Sequence, residues 1–444
     1  MKLTKLALIA AIACGTYAGN VFADQTNDIQ LVSCEANCDC GEPVCGCEPA
    51  CDHACDGDAC DGDACDGGCD SAGCGIDLGD CGLCDRVLNL ACRDCCIGDP
   101  WQLFGERNRI SAGGWLQTAY QSDQQGFGLG TYGRSNFNSY PKHFQLQQGW
   151  LFAERAIDAS CGLDIGGRVD YIYGTDGPDV QAFGNPGGTR YDNSWDNGSQ
   201  YGSALPQLYM EVGYGDLSAK IGHMITNIGF ESVEATKNFF SSHSFAFNIS
   251  QVSYTATGVV GTYSGLNNVT LTGGWVEGVN TGFEDNGDAF IGGIALDLTD
   301  RLNASYNVMG GKIQDNPTSG PVAQGYIHSI VAEYDVRCDL KYAMQTSLVD
   351  LNDGEATAVG ISNYLFKTVN DCMSLGARFE WLNSDNLATS NVDEDLYELT
   401  LGMNYRWCAN LMVRPELRWD WNEDLDTGVK NDGFSYATSA ILTF

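Results

Sequence analysis

Residues 434–444 read Phe-Ser-Tyr-Ala-Thr-Ser-Ala-Ile-Leu-Thr-Phe, with a large apolar or aromatic side chain at most alternate positions and Phe444 last. A strand crosses a bilayer in about 9–11 residues and shows lipid every second side chain, with aromatic belts where the membrane meets water. The stretch therefore predicts the closing strand of an outer-membrane β-barrel. A terminal aromatic in that place is similar to the signal read by the barrel-insertion machinery of double-membraned bacteria.

Working back from this strand, period-two alternation predicts sixteen strands, at 109–120, 145–156, 163–173, 206–214, 217–223, 251–264, 268–277, 288–297, 301–311, 324–336, 339–350, 355–366, 373–383, 395–407, 411–421 and 434–444. The even count suits a single-chain bacterial barrel. The links tell the same story. Those after the even strands are short, such as Gly215-Asp216 and Cys408-Ala409-Asn410, whereas 121–144, 174–205 and 224–250 are long. Short periplasmic turns alternating with longer outer loops are the pattern of an all-β, antiparallel, up-and-down transmembrane barrel.

Alternation also divides wet from dry. In strand 15, Val413, Pro415, Leu417, Trp419 and Trp421 fall on one face and Arg414, Glu416, Arg418 and Asp420 on the other. Arginine at mid-bilayer costs about 2–4 kcal/mol, so the charged row belongs to the lumen. Strand 14 repeats this with Glu398 and Arg406 inward, strand 13 with Arg378 and Glu380, and Arg168 of strand 3 completes the pore-lining candidates. Sixteen strands leave an aqueous passage rather than a filled core. The long link after strand 5 is the candidate constriction, with Glu231, Glu234 and Lys237 beside Phe239 and Phe240. Acid there, facing the basic wall, predicts a transverse field; the plainer alternative is that these charges only pair with one another.

The front of the chain has a different composition. Lys2 and Lys5, the apolar run 6–13 and Val21-Phe22-Ala23 form a secretory signal peptide over 1–23, preferred to a lipoprotein signal at Cys14. Residues 24–100 hold 16 Cys, 15 Asp and 3 Glu against Arg86 and Arg93, with few aliphatics to build a core. Such a Cys/Asp/Gly-rich irregular segment predicts disulfides formed in an oxidising compartment. Metal is the weaker reading. The pairs Cys81/Cys84 and Cys92/Cys95 are only seven residues apart, neither is followed by His, and Cys60 stands where a calcium loop needs Asp or Asn. No metal or cofactor is expected, and residues 101–444 form the barrel domain.

The formal charge of −35 repels nucleic acid. The five histidines, His53, His143, His223, His243 and His328, stand in no recognisable constellation with a nucleophile, so no enzyme is expected.

Gly114-Trp115-Leu116-Gln117, Lys220-Ile221-Gly222-His223, Ile228-Gly229-Phe230-Glu231 and Asn238-Phe239-Phe240 resemble the OmpL-like putative β-barrel porin family. The resemblance covers 101–444, implies a diffusion channel for small polar solutes and ions in the bacterial outer membrane, and through porins generally a homotrimer. It leaves the Cys-rich segment outside. The alternative function is structural, with the barrel as an anchor and the acidic segment holding a wall layer or a disulfide-linked partner. Cys161, Cys338, Cys372 and Cys408 all fall in or beside short turns, so they are expected at the periplasmic rim, bridged to one another or to the 16 leader cysteines.

Overall fold

The structure, a computed structural model, describes residues 97, 99–123, 137, 140–183, 192–198, 200–250, 254–283, 287–314, 323–387 and 393–444. The signal peptide and nearly all of the Cys-rich segment lie outside the described residues. The strands are β1 (Ile110–Gln121), β2 (Phe144–Arg155), β3 (Leu163–Gly174), β4 (Gly202–Tyr214), β5 (Leu217–Ile225), β6 (Thr255–Leu266), β7 (Val269–Val276), β8 (Asp288–Thr299), β9 (Leu302–Gln314), β10 (Ala323–Arg337), β11 (Leu340–Leu351), β12 (Ala356–Asn370), β13 (Met373–Asp385), β14 (Asp393–Cys408), β15 (Leu411–Asp424) and β16 (Lys430–Thr443). Each pairs antiparallel with its chain neighbours, and β1 pairs with β16 to close the barrel. Closure removes the sheet edges that would otherwise face lipid with unpaired backbone.

β16 makes the seam with β1. Thr443, Ile441 and Ser439 lie opposite Trp115, Gln117 and Ala119. Phe444 then donates its N–H to Gly114 O and accepts from Gly114 N, both at 3.0 Å. β16 begins at Lys430, four residues before the sequence expectation, because Lys430, Asn431 and Asp432 pair with Glu423, Asn422 and Trp421 beyond the apolar band. Polar residues carry no hydrophobic alternation, so this extension leaves no signal.

Outward side chains make the lipid face: Leu375, Phe379, Leu401 and Leu417 are all exposed. Inward side chains do not form one continuous wet wall. On the outer half of β6–β14, Val276, Ile291, Met309, Ile327, Val349 and Leu382 point inward and pack with Ile228, Phe245 and Ile249 of the link after β5. Burying each such side chain contributes about 1.5–3 kcal/mol, so this apolar half-ring is a seat for that link.

All four barrel cysteines lie at the ends of short hairpins, and the expected bridges to one another or to the leader are corrected for three of the four. Cys161, Cys338 and Cys408 are free thiols, while Cys372 is disulfide-bonded. Turns of successive hairpins sit two strand spacings apart, about 10 Å, and a disulfide needs Cα atoms within about 7 Å. Alkylation of intact, unreduced protein is expected to label Cys161, Cys338 and Cys408 and to spare Cys372. Peptide mapping checks this, and label on Cys372 would contradict it.

At the same rim the chain entering the barrel is held by one turn. Ala409 N donates to Ile97 O at 2.9 Å, and Trp101 N donates to Asn410 Oδ1 at 2.9 Å. Asn410 Nδ2 in turn donates to Trp101 O at 2.8 Å and to Thr443 O at 2.9 Å.

Candidate functional site

The described part of the link between β5 and β6, residues 226–250 and 254, folds into the lumen and is fastened to the inner wall. Its first contacts are on β10 and β11, where Gly229 N donates to Ser329 Oγ at 3.1 Å and Phe230 N to Gln345 Oε1 at 2.8 Å. Glu231 then accepts from Tyr364 Oη at 3.0 Å and from Arg378 Nη1 at 2.8 Å, reaching β12 and β13. On the opposite side Gln148 of β2 donates to Val233 O at 2.8 Å and accepts from Ala235 N at 3.1 Å. The loop thus bridges walls that are far apart in chain order.

The charged rows of β13–β15 are the fastenings. Arg378 also donates to Glu398 and to Ser242 O at 2.9 Å, and its guanidinium lies 4.9 Å from the centre of the Phe240 ring. Arg414 donates through Nη1 to the carbonyls of Ala235, Asn238 and Phe240 at 3.1, 2.7 and 3.2 Å. Arg418 donates to His243 O at 2.6 Å and pairs with Glu398 and Asp420 at 3.0 and 2.8 Å. The acids hold backbone donors: Glu416 accepts from Ser241 N at 2.7 Å and Ser242 N at 3.2 Å, while Glu380 accepts from Phe245 N and Ala246 N. Each fastening joins a charged group to a partner, the arrangement that makes buried charge tolerable.

Arg378, Arg414 and Arg418 are 1–2% exposed, and Glu380, Glu398, Glu416 and Asp420 no more than 5%. The sequence reading has these side chains lining water; the structure puts them on the lumenal face with the loop folded over them. Arg168 sits on β3 against Asp170, Glu154 and, at 3.4 Å, Glu234. Glu234 pairs more closely with Lys237, at 2.6 Å. Arg406, near the rim, makes no ion pair among the described residues. Within the loop, burial raises the Glu231 carboxyl, but Arg378 and the donors His243 and Ser244 N–H outweigh it and hold the pKa at about 2. Burial, aided by the charges of Arg378 and Arg414, lowers the pKa of His243 and favours its neutral ring.

Phe239 and Phe240 face a dent in the wall made by the cross-strand pair Gly376 and Gly402. A Cβ on Gly376 would collide with the Phe239 ring, and one on Gly402 would lie 2.9 Å from Phe240 Cδ1. Sequence reasoning missed this dent, although two glycines at inward positions of adjacent strands were a readable signal once register was known. It also missed Gln148 and the stacked Trp115 and Trp150, whose ring centres are 4.8 Å apart beneath the loop's Val233 and Ala235.

The wall that the loop leaves uncovered is on β6–β10. In its periplasmic half the inward positions include Thr262, Thr272, Ser305, Asn303 and Glu333, all at least partly exposed. They are mostly small and neutral.

A family model described as "Putative beta-barrel porin-2, OmpL-like" matches residues 109–444. The chain belongs to that family. The chain also shares its fold with solved outer-membrane proteins. With OmpF of Salmonella typhi, determined in complex with daunomycin, it has 11% identity and a TM-score of 0.53 over 76% of this chain and 98% of that one. With the outer membrane channel DcaP of Acinetobacter baumannii the values are 11% and 0.50, over 76% and 97%. No curated protein sequence matches the chain.

Proposed function

We propose that the protein is a passive diffusion channel for small polar solutes, whose passage runs along β6–β10 beside the docked loop. The observation that carries this is the division of the lumen. Loop residues 226–250 cover the charged wall of β13–β15, and the partly exposed inner wall in the periplasmic half of β6–β10 is lined by Thr262, Thr272, Asn303 and Ser305. Short hydroxyl and amide groups exchange hydrogen bonds with a passing solute without binding it tightly, as conduction requires. On this reading Arg414 and Arg418 act as fastenings, and the charges on the passage wall include Glu333, which pairs with Lys341 at 3.2 Å, and Asp297, opposite Asn303.

Purified protein in planar bilayers is expected to give stable conductance steps, and proteoliposomes to admit small neutral sugars. Neutralising Glu333 is expected to shift the reversal potential in a salt gradient away from cations. Folded barrel by circular dichroism with neither conductance nor uptake would overturn the channel.

A further inference from the structure

The membrane face of β14, β15 and β16 carries three outward rows in register: Leu401, Leu417, Tyr436; then Leu399, Trp419, Phe434; then Tyr397, Trp421, Asp432. Trp419 packs toward Phe434, with ring centres 5.0 Å apart, whereas Trp421 stacks on Tyr397 at 5.7 Å on the other side. The two indoles are drawn to opposite neighbours. A groove of about 600 Å3 opens between them, with Leu399 and Leu401 in its lining and Asp432 at its edge.

Asp432 breaks the aromatic row at the height of Trp421. It is exposed and has no hydrogen bond or ion pair among the described residues. The surrounding groups are already engaged: Lys430 with Glu423 at 2.8 Å, and Asp395 with Trp381 Nε1–H at 3.1 Å. On this face Asp393, Asp395, Glu423 and Asp432 outweigh the single Lys430. Tryptophan and tyrosine belts mark the headgroup level, so a carboxylate level with Trp421 meets lipid headgroups.

We propose that this groove holds one acyl chain of a membrane lipid with an amine-bearing headgroup, whose ammonium pairs with Asp432. The apolar slot suits an alkyl chain, being within the size range of small-molecule sites. The acidic edge sets the headgroup, since an anionic one would meet four carboxylates and a cationic amine completes the unpaired one.

The test uses full-length protein in neutral detergent micelles, titrated with phosphatidylethanolamine carrying brominated acyl chains, which quench nearby indoles. The groove signal is the part lost when Trp419 and Trp421 are both changed to Phe. Phosphatidylethanolamine is expected to reach half-quenching at about three- to fivefold lower concentration than brominated phosphatidylglycerol, the size of one exposed ion pair. Asp432→Asn is expected to erase that difference while both lipids still quench. Leu401→Phe, which narrows the slot, is expected to weaken quenching by both. Heat-modifiable gel migration confirms that each variant is folded. Equal quenching by the two lipids would overturn the proposal. So would a preference for phosphatidylglycerol, and its abolition by a chelator would identify a divalent bridge instead. Cross-links between copies through this face that exclude lipid would assign the groove to a second copy and also overturn it.

Discussion

Arg378→Met is expected to unfasten the lumenal loop and to lower barrel stability by about 3–5 kcal/mol, the usual result of removing one partner from a buried ion pair. The side chain joins three things at once: Glu231 of the loop, Ser242 O further along the same loop, and Glu398 of the neighbouring strand. Methionine fills similar space but leaves Glu231 and Glu398 buried with fewer donors, so the loop leaves the wall to hydrate them. Lys237 is the only Lys or Arg between 226 and 254 and therefore the only trypsin site there. In the native protein its side chain is tied to Glu234 at 2.6 Å. Arg378→Met is expected to make trypsin cut after Lys237 and to turn steady open-channel current into flicker. Arg378→Lys is expected to fall between, since it keeps the charge but loses the forked geometry. Combining Arg378→Met with Glu231→Gln is expected to cost less than the sum of the two changes, because they share one interaction. An uncut loop and unchanged current in Arg378→Met would refute the fastening role.

Filling the glycine dent works by the opposite route, since it pushes the loop rather than freeing it. Gly376→Val puts two methyl groups where the Phe239 ring lies, and overpacking of this kind costs about 1–3 kcal/mol. The wall is a sheet paired on both sides and yields little, so the loop moves toward the barrel axis. Conductance is expected to fall, with a larger fall when Gly402→Val is added beneath Phe240. The decisive measurement is rescue: Phe239→Ala in the Gly376→Val background is expected to restore most of the conductance, whereas Phe239→Ala alone leaves a cavity and lowers stability by about 3–5 kcal/mol. Failure of rescue would mean that the dent does not seat the ring.

The barrel was legible because strands 13–15 alternate charged and apolar side chains, and only one register of a closed sheet satisfies all three. The loop was partly legible: Glu231, Glu234 and the Phe239-Phe240 pair were singled out, and the structure brings Glu231 onto Arg378. What stayed hidden was the burial of the wall. Glu380 and Glu416 hold backbone N–H groups of residues 241–246, and backbone donors are the same in every sequence. A charged row paired with such donors reads identically to one facing water. The glycine dent was hidden for another reason, since Gly376 and Gly402 meet only through strand register. The rim cysteines show the limit of turn placement, which found the rim but not the spacing between neighbouring hairpins.

Asn410 has a mechanical consequence. Its side chain and backbone join the chain at Trp101, the turn between β14 and β15, and Thr443 of the last strand. Tension arriving at Ile97 from the preceding chain is therefore shared with that turn and the last strand before it reaches β1. Loaded this way, the seam between first and last strands is pulled on both sides together, and the force is not concentrated on peeling β1 away one hydrogen bond at a time.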